Sequence, residues 1–563
     1  MHTFTAVLGA VALLSIIGYG LAFLAQAEST EVSLKGARPL PGPGGYPIVG
    51  NLPQIPAKHS WLKFLQWGKQ YGLLYRLNLA GTTHVVVCSE KIANDLCRER
   101  GNIYSDRLQF PMATKLLSND FRPLLLPYGD TWRAFRKFTH GVANNSAAAT
   151  YEPVQEEEAL RLVHDLIEEP SRYDALLERY AASIIMSITY GTTIYSTSHP
   201  TLKRIKEVNH QLERVASPGA YLVDAFPSLM KLPTWLAPFK SEGNRLHREE
   251  HSLFSSLVID VANRAARGDP STQGTVTKLW LDTKGKYPAM TDPHAHYTLG
   301  TIFEAGADTT AAALMSFMLA MVLYPGKFDK VAAEVDSIVP DRLPSFADLP
   351  KLPYLRACVK ETLRWRPVVA GGLPHFLSAR NDVYSFNGTT YQIPKYSVIH
   401  PNQWAIHRDP EVYPDEPESF LPERWVEPAF PTYREPLTEY PNLRDYSCFG
   451  FGRRICPGRN IAERNLMIAG MMIVWGCEIR AKKTKAAGGE EITLWPPEYD
   501  YTVGFNAWPK WFDFELNARL GREHVLGREF ERVWGARIRD HESGKAGPEV
   551  DPGANDRDCG CVL

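Results

Sequence analysis

The stretch Phe449-Gly450-Phe451-Gly452-Arg453-Arg454-Ile455-Cys456-Pro457-Gly458 constrains this chain more than any other. It runs directly into the apolar, helix-forming residues 460–475. Glycines let a backbone turn tightly and approach a bulky neighbour. Pro457 suits a first helical position, where its missing N–H costs nothing. The spacing predicts a glycine-shaped loop that presents one cysteine at the mouth of a helix. The helix N-terminus and free loop amides favour a thiolate at Cys456. Arg454 adds a positive charge for a carboxylate or another anion. A free structural cysteine behind a glycine turn is the plainer alternative.

The rest of the chain must supply a body for that loop. Its 563 residues are 44% hydrophobic and 22% charged, enough for a large core. A formal net charge of −1 provides no global field, and no nucleic-acid partner is expected. The eight cysteines are sparse and follow neither a disulfide framework nor a zinc spacing. A reducing compartment suits them better.

Residues 6–25 carry no charge and are long enough to cross a bilayer as a helix. Ala25-Gln26-Ala27 resembles a signal-peptide cleavage site, the alternative being a secreted, disulfide-bonded protein. No Lys or Arg precedes the apolar run, however, whereas Lys35 and Arg38 follow it. The expectation is a retained anchor over residues 1–27 with the body in the cytosol. The proline-dense stretch 38–47 reads as a stiff connector within residues 28–50.

Thr83-His84-Val85-Val86-Val87 reads as a strand. Trp132 and Arg136 share one helical face at i, i+4. Residues 154–191 and 201–215 read as long amphipathic helices. The apolar, proline-punctuated residues 221–236 read, taken alone, as an ordinary buried loop. A long apolar helix over 296–323 is interrupted by Ala305-Gly306-Ala307-Asp308-Thr309-Thr310. Gly, Asp and Thr lower helix stability, and Thr bonds back to the carbonyl four residues earlier. Such a local conflict points to a functional site.

Glu361 and Arg364 lie on one helix face at i, i+3, and Arg424 follows in Phe420-Leu421-Pro422-Glu423-Arg424-Trp425. Residues 381–394 read as a hairpin turning at Asn387-Gly388. Beyond Phe514 the chain is charged and helical to about residue 541, then Gly/Pro/Asp-rich and expected to be disordered. Cys559 and Cys561 do not make a prenylation signal, because the fourth-from-last residue is Gly560.

The cysteine loop resembles the haem-thiolate loop of cytochromes P450, Phe-x-x-Gly-x-Arg-x-Cys-x-Gly. All five fixed positions match, as Phe449, Gly452, Arg454, Cys456 and Gly458. Even glycine fills only about 7% of positions on average, so chance is a poor explanation. Residues 305–310 resemble the family's oxygen-binding groove, 361–364 its Glu-x-x-Arg, and 132–136 its Trp-x-x-x-Arg. Pro374-His375 matches a family position whose side chain bonds a haem propionate, and Val503-Gly504-Phe505 matches its last substrate-lining turn. In the family residues 221–236 would line the substrate entrance and dip into the membrane, and their wording resembles fungal microsomal members akin to O-methylsterigmatocystin oxidoreductase.

The resemblance implies a mainly α fold with small β sheets, a single haem-binding domain over residues 51–514 and a C-terminal extension over 515–563. It implies haem b held through Cys456 as axial ligand. Trp132, Arg136, Gly306, His375, Phe449, Gly452, Arg454 and Gly458 would bind the cofactor, with Gly306 leaving room for dioxygen. Asp308 and Thr309 would relay protons, and Glu361, Arg364 and Arg424 would form a buried triad behind the haem.

The implied activity is insertion of one oxygen atom from O₂ into a small hydrophobic molecule, a fungal secondary metabolite (polyketide, terpenoid or alkaloid) or an aromatic to be catabolised. A P450-fold isomerase or dehydratase and a haem sensor remain alternatives. Too little sequence follows residue 514 for a fused flavin domain, so electrons are expected from NADPH through a separate cytochrome P450 reductase. Arg133, Lys137, Arg453 and Arg459 are expected to dock it at the endoplasmic reticulum membrane.

Overall fold

The computed structural model describes residues 36–217, 219–485 and 490–543. The anchor expected over residues 1–27, and Cys559 and Cys561, lie outside the described residues. The chain forms two units. The first takes the residues up to Leu108 together with Gly371–Asp409 and Gly450–Ile455. The second takes Gln109–Ala370, Pro410–Phe449 and the residues from Cys456 onward.

The first unit is built on two small sheets beside helix α1 (Ser60–Tyr71). Strand β1 (Arg38–Pro39) pairs in parallel with β6 (Thr389–Ile393), which pairs antiparallel with β5 (Asp382–Phe386). Asn387 and Gly388, both with positive φ, turn the β5–β6 hairpin as the sequence predicted. The second sheet runs β2 (Leu74–Leu79), β3 (Thr82–Val87), β7 (Val398–Pro401), β4 (His375–Phe376). Strand β3 is interior, and Val85, Val86 and Val87 are all fully buried, which explains three consecutive valines where a half-exposed strand would alternate.

The expected connector proves to be part of this unit. Leu40 is buried, the Arg76 N–H donates to Pro41 O (2.8 Å), and β1 extends a sheet. Proline stiffness here supplies an edge strand instead of a spacer.

The second unit is helical. Its elements include α2 (Asp130–Ala143), α3 (Glu152–Glu168), α4 (Tyr173–Tyr190), α5 (Pro200–Ala216), α6 (Pro238–Ala266), α7 (Asp292–Leu323), α8 (Pro353–Trp365), α9 (Arg459–Gly476) and α10 (Glu523–Phe530). The single helix predicted over 154–191 is two, because Pro170 removes a backbone donor and opens a new turn before α4. Helix α7 is the one described helix apolar and long enough to span a bilayer, but 78% of that window is buried inside the fold. A Thr291–His294 capping box starts it and it stops before Pro325.

Residues 515–543 belong to this unit as well. Strand β9 (Glu515–Ala518) pairs with β8 (Cys477–Arg480), so the expected boundary at 514 cuts through a sheet. Beyond α10, the buried Trp534 donates to Glu157 O (2.9 Å), and Arg161 stacks on its ring at 5.0 Å. Phe530 lies flat on His164 at 3.5 Å. The extension is thus a strap over α3. The six cysteines among the described residues form no disulfide.

Candidate active site

Helix α9 begins two residues beyond Pro457, the first helical position that the sequence suggested. Gly458 is its N-cap, and Pro457 precedes the cap. Cys456 therefore sits just outside the helix mouth, with its N–H donating to Phe449 O (2.8 Å). Burial pushes the thiol above its ordinary value, whereas backbone N–H groups of Gly458 and Arg459 and the charges of Arg136 and Arg459 pull it down. A cysteine so surrounded is set up to be a thiolate once a cation binds it.

Trp132 is buried on α2 against Tyr128 (ring centroids 5.2 Å). Arg136, one turn on, has its charge affected by Cys456 and Arg459, with no carboxylate among them. Arg459, expected on the reductase-docking surface, instead turns inward: its Nη1 donates to Cys456 O (3.4 Å) and its Nε is buried without a partner. Arg133 is exposed and pairs with Asp130 at 2.5 Å. The half-buried guanidinium groups of Arg136 and Arg459, beside one thiol, fit an anionic cofactor.

The first unit holds Gly452, Arg454 and His375, whereas Phe449 and Gly458 fall in the second. Gly452 has φ +56, and a Cβ there would lie 2.0 Å from Cys97 O, so no other residue fits. Gly458 differs, since a Cβ there would meet nothing within 4 Å. The Arg454 Nε donates to Ser105 O (2.7 Å). His375 is buried, with Nδ1 2.9 Å from Tyr104 O. Burial and the nearby Arg107 push its imidazole down to about 3. A carbonyl only accepts, so Nδ1 carries the proton and neutral His375 presents Nε2 as an acceptor.

On α7, Thr309 Oγ1 donates to Ala305 O (2.6 Å), the predicted back-bond. Ala305 is exposed in the middle of this largely buried helix. The room expected at Gly306 goes elsewhere: a Cβ there would meet Ile185 at 2.5 Å, so the glycine serves close packing of α7 on α4. Asp308 accepts from Asn506 Nδ2 at 2.5 Å. Burial raises its carboxyl to about 6, with Glu213 and Glu178 adding to the shift and Asn506 and Trp508 opposing it.

Glu361, Arg364 and Arg424 come together, all fully buried. Arg364 donates twice to Glu361 (2.9 and 2.8 Å) and Arg424 once (3.4 Å). Leu421 N–H and Trp425 Nε1 complete the carboxylate's partners, each at 2.9 Å.

The sequence reading missed Asn506, whose partner lies 198 positions away. It also missed a buried cluster in which Arg122 bridges Glu250 and Glu304. An acid four residues before Asp308 in an apolar helix was the available signal for the second. Residues 221–236 are not a buried loop: Leu222 is 72% and Trp235 80% exposed.

A family model described as Cytochrome P450 matches residues 40–501. A cytochrome P450 monooxygenase of Armillaria gallica is 40% identical over 79% of this chain and 85% of its own length. The cytochrome P450 monooxygenase fogE of Aspergillus ruber is 33% identical over 90% of this chain and 91% of its own. Among solved structures, a zebrafish cytochrome P450 with abiraterone superimposes with a TM-score of 0.62 at 21% identity, covering 82% of this chain and 99% of that one. That last likeness speaks to the fold.

Proposed function

This chain belongs to the cytochrome P450 family and is one of its monooxygenases, and from that premise we propose that Cys456 is the axial ligand of a bound haem b. The observation that carries the proposal is the placement of Cys456 outside the N-terminus of α9, with two backbone amides and two guanidinium groups lowering the cost of its thiolate. Haem, when bound, supplies the iron that activates O₂, and a thiolate ligand favours O–O cleavage.

The protein's own residues position and protect that chemistry. Trp132, Arg136, Arg454 and His375 hold the propionates. For His375 this requires a proton drawn onto Nε2, which a carboxylate at that atom favours against the burial that now keeps the ring neutral. Phe449, Gly452 and Gly458 shape the loop, the last leaving open space that a Cβ would fill. Ala305 is the open position on α7, in place of Gly306. Thr309 has its hydroxyl proton committed to Ala305, so it offers its oxygen to water, and Asp308 carries protons. Glu361, Arg364 and Arg424 brace α8 from within.

The substrate is a small hydrophobic molecule, for which we favour fungal secondary metabolism, a setting that the Armillaria and Aspergillus relatives support. Electrons come from NADPH through a separate reductase. The protein sits on the endoplasmic reticulum membrane with its body in the cytosol. The uncovered Leu222, Phe226, Trp235 and Leu236 support a membrane-facing surface, since large apolar side chains so exposed mark an interaction site.

One reconstitution tests these points together. With cytochrome P450 reductase in lipid vesicles, the protein should float with the vesicles and consume NADPH and O₂ as an apolar metabolite library yields oxygenated products. Protein that stays in solution contradicts the membrane placement. Conversion that proceeds without NADPH contradicts the reductase-driven reaction.

A further inference from the structure

Asp308 is not held by a cation, the usual partner for a buried carboxylate. Its partners are the Asn506 amide and the Trp508 side chain. Asn506 sits in a loop closed by the Tyr501–Pro509 bridge and by Thr502 N–H donating to Trp508 O (2.8 Å). Thr502 Oγ1 donates to Asn506 O (3.2 Å), and the Ala507 N–H donates to Val368 O (2.7 Å). The Asn506 N–H donates to Glu213 Oε1 on α5 at 3.3 Å. Backbone bonds on every side thus fix this residue, while its side-chain Oδ1 is buried and bonds to nothing. Only Nδ2 is used, toward Asp308.

An amide differs from Arg or Lys in carrying both a donor and an acceptor on one small group. Resting on the proton-carrying role proposed above for Asp308, we propose that Asn506 is a positioning residue that partners Asp308 in both of its protonation states. With Asp308 ionised, Nδ2–H donates to Oδ2, the arrangement now present. When a proton from water joins Oδ2, the amide turns about its terminal torsion and the idle Oδ1 accepts the new O–H. Return of the proton to water reverses the turn. A guanidinium would hold Asp308 ionised, and an apolar residue would leave the ion unsupported. The charged groups facing this carboxyl are Glu213 on α5 and Glu178 on α4, the latter paired with Lys206 at 2.6 Å. Trp508 of the loop and Glu304, one turn away on α7, complete the surroundings.

Infrared spectra recorded across a pH titration of the haem-loaded protein test this directly, with the Asp308 carboxyl band assigned by its loss in Asp308→Asn. Asn506→Leu removes the donor to the ion, so the titration midpoint should rise by about one pH unit, a tenfold gain in proton affinity. Asn506→Asp adds a like charge and should raise it at least as far, whereas Asn506→Gln, which keeps the amide, should bring it back toward wild type. Hydrogen peroxide released per NADPH consumed should rise severalfold in the Leu and Asp variants. Midpoints unchanged in both variants overturn the proposal. If Asn506→Leu fails to fold, the near-isosteric Asn506→Asp decides alone. The ferrous–carbon monoxide spectrum of each variant separates the two levels: a normal band with an unmoved midpoint removes only the role of Asn506, and an abnormal band in wild type removes the haem–thiolate reading beneath it.

Discussion

Glu361→Ala is expected to yield no haem-loaded protein. The carboxylate takes two hydrogen bonds from Arg364, one from Arg424, and one each from the Leu421 amide and the Trp425 indole. Truncation leaves two guanidinium groups with almost no access to water and without their shared counter-charge. Breaking a buried ion pair from one side costs about 3–5 kcal/mol, and a domain has only about 5–15 kcal/mol to lose. Arg364 would keep its bonds to Pro417 O and Ser419 O (2.7 Å each), which tie it to the chain but bring no negative charge. Glu361→Gln retains the shape and one acceptor oxygen, so its loss should be smaller. Haem absorbance per unit protein and the thermal unfolding midpoint check both variants, and normal haem content in Glu361→Ala would refute the triad.

Gly452→Ala should be nearly as damaging, for a different reason. The backbone there is left-handed, which costs a non-glycine residue about 1–2 kcal/mol. The added methyl would also stand 2.0 Å from the carbonyl oxygen of Cys97, a backbone atom that cannot rotate away. The loop must shift, and the cysteine it presents shifts with it. Gly458→Ala is the control within the same loop, because its φ is −87 and its Cβ meets no protein atom. With haem absent from both, that variant should melt with wild type, and its defect should be confined to haem binding. Equal melting points for wild type and Gly452→Ala would contradict the steric argument.

These two glycines show why the loop was legible. Its requirements are local, each written in one residue: a left-handed turn, a cap, a cysteine at a helix mouth. The same holds for Asn387-Gly388 in the β5–β6 hairpin and for Thr309 bonding back along α7. The connector at residues 38–47 was misread because proline content sets stiffness, whereas pairing with β6 depends on residues some 350 positions on. Beyond 514 the helical reading held to residue 542, but the domain boundary did not, because β9 pairs with β8 and Arg161 on α3 supplies the ring-stacking surface for the buried Trp534. Pro170 was visible and its consequence was overlooked: a helix over 154–191 needs a donor that proline lacks. Asn506 could not be found from sequence at all, since nothing around it differs from an ordinary turn.

The central claim is that Cys456 ligates haem iron as a thiolate. Purified, haem-replete protein should be reduced with dithionite, exposed to carbon monoxide and scanned through the Soret region. The account predicts the long-wavelength band that gives cytochromes P450 their name, present in wild type and absent from Cys456→Ser. Folded wild-type protein whose band stays where imidazole-ligated haem absorbs would contradict it.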